Sequence, residues 1–271
     1  MRSQPSVLAT AVLVKLLLSN FGPCKVCRQA EGEAMPAVQV SNDRPPQPSR
    51  QGGTPAQLTE VLGVVKPRLR GWLHAAMAPI ALAAGIVLVC LAAKPAAIVG
   101  AAVFLAASVL LLGISGIYHR GTWGARGQAV LRRMDHSNIY VFIAATYTPL
   151  ALILLDGASR VILLTVIWSA ALGGLFFRMF WLSAPRWLYT VLYLLMGWVA
   201  LGWLEAFYRG AGLTVLMLIV AGGVCYTFGA MVYGRKRPNP SPTWFGFHEI
   251  FHAATIGGFV CHYVAIAMIS M

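Results

Sequence analysis

From Trp72 onward the chain alternates long apolar runs with short polar connections. Seven runs are each near the ~20 residues that a helix needs to cross a bilayer core: Trp72–Leu91, Pro95–Tyr118, Ser137–Leu155, Val161–Phe180, Leu188–Leu204, Leu213–Tyr233 and Phe247–Ile269. The pattern predicts an all-α polytopic membrane protein, a seven-transmembrane-helix bundle. The connections are short, as in compact bundles. Glycines inside the runs, as at Gly173-Gly174 and Gly222-Gly223, let membrane helices approach closely.

The connections also carry a sign. Counting Lys and Arg on alternate sides between Lys66 and Arg237 puts twelve on one side and three (Lys94, Arg160, Arg209) on the other. That bias assigns the rich side to the cytoplasm. The N-terminus is then cytoplasmic, the C-terminus external, and the expected location is the plasma (inner) membrane. This topology is the reverse of the G-protein-coupled receptors and disfavours that class.

Residues 1–65 do not share the pattern. Ser41–Pro55 is rich in Pro, Gln, Ser, Arg and Gly, which predicts a disordered tail. Val7–Leu18 is apolar apart from Lys15; it is too short to span and is charged where a signal-peptide core is not. One expectation is that Met35 is the true start and that residues 1–34 are a start-site error. Residues 66–271 form the membrane domain.

Composition agrees: 58% of the 271 residues are hydrophobic and 11% charged, against about a quarter charged in soluble domains. The formal net charge of +13 would suit nucleic acid, but the basic residues lie between spans and no groove-reading motif is present, so no nucleic-acid partner is expected. Of the five cysteines, Cys90, Cys225 and Cys261 fall in apolar runs as small hydrophobes. Cys24 and Cys27 have metal spacing without a second pair, and a chance pair is the simpler reading.

Three polar stretches interrupt this apolar frame: Ser115-Gly-Ile-Tyr-His119, Arg132-Arg-Met-Asp135-His136 and His248-Glu-Ile-Phe-His252. The last is H-E-x-x-H, and two His four apart on a helix share one face, as two ligands of a tetrahedral zinc require. The expected topology carries His119 to the cytoplasmic end of the second span, Asp135 to the start of the third and the His248/His252 pair to the start of the seventh. Read singly, each has an ordinary role: an interfacial or capping histidine, or an Asp135 paired with Arg132 and Arg133 or seated at a helix N-terminus. Their convergence at one depth points to a site, because ionisable groups in membrane segments are costly. His119, His248 and His252 would supply three zinc ligands, leaving a fourth position for water. Asp135 would deprotonate that water, and Ser115, one turn before His119, would orient it or donate to an oxyanion. His74, His136 and His262 read as structural or interfacial, with His262 placed to hydrogen-bond another helix.

The same residues resemble the hemolysin III family. The resemblance is carried by Ser115-x-x-x-His119, by Arg-Arg-x-Asp135-His with Ile139-Tyr140 and Thr146-Tyr-Thr-Pro149 after it, and by His248-Glu-Ile-Phe-His252. Lys66-Pro-Arg-Leu-Arg-Gly-Trp-Leu-His74 resembles the family's opening. The family belongs with the progestin and adipoQ receptors, which include the adiponectin receptors. The resemblance covers about Lys66 to Met271. It implies seven helices with the N-terminus inside, a zinc held by His119, His248 and His252, Asp135 against the zinc-bound water and Ser115 beside it. Alkaline ceramidases in the wider superfamily suggest amide hydrolysis on lipids.

Four functions follow as expectations. The first is a zinc hydrolase acting on a lipid amide or ester, with membrane lipids as substrate or ligand. The second is a receptor-like or membrane-homeostasis protein with structural zinc. The third is a cytolysin, which the family name suggests and which the resident membrane character of the chain disfavours. The fourth is an intramembrane zinc protease with Glu249 as base, which would leave His119 unexplained.

Overall fold

The computed structural model describes residues 67–241 and 243–271. The expectations for residues 1–65, including the tail, Met35 and the Cys24/Cys27 pair, lie outside these. The described chain is helical: α1 Trp72–Leu91, α2 Pro95–Arg120, α3 Ala125–Leu154, α4 Gly157–Phe180, α5 Arg186–Gly197, a 3-10 segment Trp198–Trp203, α6 Leu204–Arg235 and α7 Phe247–Ser270. Among the described residues there is no strand, only an isolated bridge between Ser241 and Phe245. Six stretches are long and apolar enough to cross a bilayer: α1, α2, α3, α4, the continuous Arg186–Arg235 run and α7. Large apolar side chains such as Ile80, Val161, Phe180, Leu195 and Met217 point outward. The chain is a multi-pass membrane protein.

The Arg186–Arg235 run does not extend straight. Arg186 Nη1 donates to the Tyr233 carbonyl at 3.4 Å, and Trp198 Nε1 to Thr227 Oγ1 at 3.0 Å. Rising residue numbers in the first half thus meet falling numbers in the second, so the halves are antiparallel. The reversal falls near Gly212, which interrupts α6 at φ 79°, ψ 179°, a region open essentially to glycine alone. The switch from α5 to the 3-10 segment has its own cause. The buried Tyr147 hydroxyl donates to the Gly197 carbonyl at 2.5 Å and accepts the Ala200 N–H at 2.9 Å.

Helix α3 is central: it packs against α2, α4, α5, α6 and α7, while α7 also closes onto α1. Helices α1 and α7 lie side by side in parallel. The His74 ring meets His252 near their starts, the Tyr263 hydroxyl donates to the Ala84 carbonyl midway, and the Ala93 N–H donates to Ser270 O at their ends. The core between them is aromatic, with Phe104 stacked on Phe259 and tilted against Phe142. One end of the bundle therefore collects the start of α1, the end of α2, the early turns of α3 and the start of α7.

Candidate metal centre

Helix α7 starts where it does because side chains satisfy its first backbone donors, which no helical turn can. The Gly246 N–H donates to Glu249 Oε2 at 2.8 Å, and the Phe247 N–H to Asn239 Oδ1 at 3.2 Å. His248 and His252 then project from the first two turns toward the last turn of α2, which carries His119. All three histidines are buried.

One nitrogen from each of His119, His248 and His252 lies within 4.8 Å of the others, so the three could hold a metal ion. His119 Nε2 and His248 Nε2 are 3.1 Å apart. Two nitrogens bound tetrahedrally to one zinc at about 2.05 Å would stand about 3.3 Å apart, so the donor set fits that ion in kind and spacing. Tyr233 and Phe251 pack against the His248 ring and wall the cluster with aromatic surface.

Asp135 reaches the cluster, with Oδ2 3.7 Å from His119 Nε2. Ser115 lies within hydrogen-bonding reach of its carboxylate. All five candidate residues thus meet at one end of the bundle. Asp135, however, is not at a helix start: α3 begins at Ala125, ten residues earlier. The helix dipole acts only over the first turn, so that alternative for Asp135 falls away. Its burial, at 8% exposed, also removes the surface ion pair.

Glu249 has a different task from a catalytic base. One carboxylate oxygen takes the Gly246 N–H and the other the Arg70 guanidinium, at 2.5 Å. Arg70 belongs to a short strap, Pro67–Gly71, tied to the α6–α7 connection by Arg68 N–H to Thr243 O (2.9 Å) and Leu69 N–H to Trp244 O (3.3 Å). Gly71 ends the strap at φ 80°, pressed so closely on His119 that a Cβ would collide with the histidine's own. The strap and Glu249 hold His119 and the α7 start in register.

Sequence reasoning missed His74. It is buried in α1 and stacked on His252, with ring centroids 3.7 Å apart and planes 9° from parallel. The available signal was its position in the Lys66–His74 opening. His136 accepts from Arg178 Nη2 at Nδ1 (2.7 Å), a structural tie to α4. His262 donates from Nε2 to the Ile219 carbonyl on α6 at 3.1 Å, the interhelical bond expected of it. Cys90, Cys225 and Cys261 are free thiols.

A mainly apolar cavity begins at Asp135, His248 and His252 and is lined by α3 as far as Leu150 and by α7 as far as His262. At 1.5 Å per residue, either series spans about 20 Å along the bundle.

These features have counterparts in known proteins. The model of the family described as "Haemolysin-III related" matches residues 62–263. The "Hemolysin-3 homolog" of Bacillus subtilis (strain 168) is 37% identical over 155 residues, covering 56% of this chain and 68% of that protein. The "Hemolysin-3" of Bacillus cereus is 35% identical over 126 residues, covering 46% of this chain and 54% of that protein.

Proposed function

The chain belongs to the haemolysin-III-related family, and from that premise we propose that it is a zinc-dependent membrane hydrolase cleaving a lipid amide or ester. The observation that carries this reading is the meeting of a three-histidine cluster, a buried carboxylate and a long apolar cavity at one point. A structural zinc site is usually closed by four protein ligands, whereas this donor set has three and an acid beside it.

In this reading, zinc held by His119, His248 and His252 lowers the pKa of a water to about 7. Asp135 accepts a proton from the attacking water and delivers it to the leaving amine or alcohol. Ser115 holds the Asp135 carboxylate in place. The cavity takes the acyl chain and keeps bulk water from the reacting carbonyl. The protease alternative is less well supported, because both Glu249 oxygens are committed to Gly246 and Arg70. A receptor-like or homeostatic role with structural zinc is the main competing reading, and the relatives' names keep cytolysis as a third.

The proposed setting is the plasma membrane, crossed seven times, with the site on the cytoplasmic side. Two facts support the count. The 50-residue Arg186–Arg235 run would extend about 75 Å as one helix, against a bilayer core of about 30 Å. Its halves are also antiparallel neighbours. Hydrolysis of a panel of ceramides, acyl amides and lysophospholipids by the purified protein tests the function. Asp135→Asn should keep about one zinc per chain and lose roughly 10²–10⁴-fold in rate, the usual worth of a general base. Zinc lost with activity would make Asp135 a ligand, and bound zinc with no turnover on any lipid would favour the receptor-like reading.

A further inference from the structure

His74 is 2% exposed, and neither of its ring nitrogens has a hydrogen-bond partner. The His252 backbone is the polar group beside the ring, and it lies outside hydrogen-bond geometry. Two buried polar atoms without partners are costly. If the ring served only to stack on His252, phenylalanine would do it without that cost.

The stack also rules out a fourth metal ligand. A metal lies close to the plane of each imidazole that binds it. The His74 and His252 planes are 9° apart with centroids at 3.7 Å, so a metal in the plane of His252 stands well out of the plane of His74. His74 is likewise outside the three-histidine group. It nevertheless lines the same cavity as Ser115, Asp135, His248 and His252. An unsatisfied donor facing a cavity whose other walls are mainly apolar is suited to a ligand with a polar end and an apolar body.

Building on the hydrolase reading, we propose that His74 is a substrate-contacting residue whose ring N–H donates to the carbonyl or carboxyl oxygen of an acyl ligand lying in the cavity. It fixes the polar end of the ligand beside the metal cluster, while the chain runs along α3 and α7.

The test uses the full chain in detergent, with radiolabelled palmitic acid as the probe and zinc content measured in parallel. His74→Phe keeps a ring and removes the donor; His74→Gln keeps a donor and removes the ring. The expected result is about one zinc per chain in both. Palmitate binding should weaken about tenfold or more in His74→Phe and stay within about threefold in His74→Gln, where tenfold corresponds to about 1.4 kcal/mol. Should His74→Phe fail to fold, His74→Met takes its place with the same expectation. Wild-type binding in the ring-only or Met variant overturns the proposal in favour of packing. Loss of zinc in those variants overturns it in favour of a role in the metal cage, and a wild-type protein that does not bind palmitate overturns it directly. The hydrolase reading stands or falls separately: lipid turnover unaffected in His74→Phe sinks only this proposal, whereas His74-dependent binding without turnover sinks only the hydrolase.

Discussion

Removing the Glu249 carboxylate should loosen the metal cluster without touching it. Glu249→Ala deletes the acceptor for the Gly246 N–H and leaves Arg70 facing a buried, empty corner. Loss of an N-terminal capping acceptor typically costs about 1 kcal/mol. Breaking a fully buried ion pair costs about 3–5 kcal/mol. Arg70 keeps 21% of its side-chain surface exposed against 1% for Glu249, so the lower end applies and the combined loss should be about 3 kcal/mol. The first turn of α7 carries His248, so zinc affinity should fall by about 10–100-fold, as when groups that orient metal ligands are removed. Chelator competition measures the zinc affinity, and thermal unfolding in detergent with and without zinc measures stability. A cycle with Arg70→Ala isolates the pair: coupling of about 1–2 kcal/mol is expected, well above the few tenths within which independent sites add. Additive variants with unchanged zinc affinity would refute the structural role. Glu249→Gln that keeps zinc and stability but abolishes hydrolysis would restore the protease-type base.

Two further outcomes are expected. His119→Ala, His248→Ala and His252→Ala should each strip the copurifying metal, read by elemental analysis, while Ser115→Ala should keep most of it because its effect is limited to orientation; full zinc in all three histidine variants would refute the cluster. A reporter fused after Met271 should report the external face, given the twelve-to-three distribution of Lys and Arg; activity confined to the cytoplasm would refute seven crossings.

Much of the fold was legible because hydropathy reports the bilayer directly. The first run coincides with α1, and the seventh run ends one residue short of α7. The third did not coincide. Hydropathy begins it at Ser137, yet the helix begins at Ala125, since Arg126, Arg132 and Arg133 continue the helix beyond the apolar zone. Hydrophobicity marks where lipid starts, not where a helix does, and Asp135 was misplaced for that reason. The fifth run was readable as a span but not as a change of helix type, because the cause is one distant hydroxyl, that of Tyr147. The five candidate site residues could be found from spacing and depth, which set their convergence. His74 could not, because its partner lies 178 positions away in the numbering and stacking leaves no local pattern. Glu249 was visible within H-E-x-x-H, but its engagement with Arg70 depends on the strap, which no periodicity announces.

That strap has a practical consequence for how the molecule can be handled. The chain ahead of Pro67 joins the bundle through the same five residues that seat His119 and pair with Glu249. A fusion partner, a cleavage or a binding event upstream is therefore connected to a handle on the metal cluster. The opposite pole is quieter: the last turn of α7 meets the end of α1, where the Ala93 N–H donates to the Ser270 carbonyl, a full helix length from the histidines. An affinity tag or surface tether placed beyond Met271 leaves the cluster mechanically undisturbed. One placed close ahead of Pro67 would turn any tension on the tail into a displacement of the metal's own ligands.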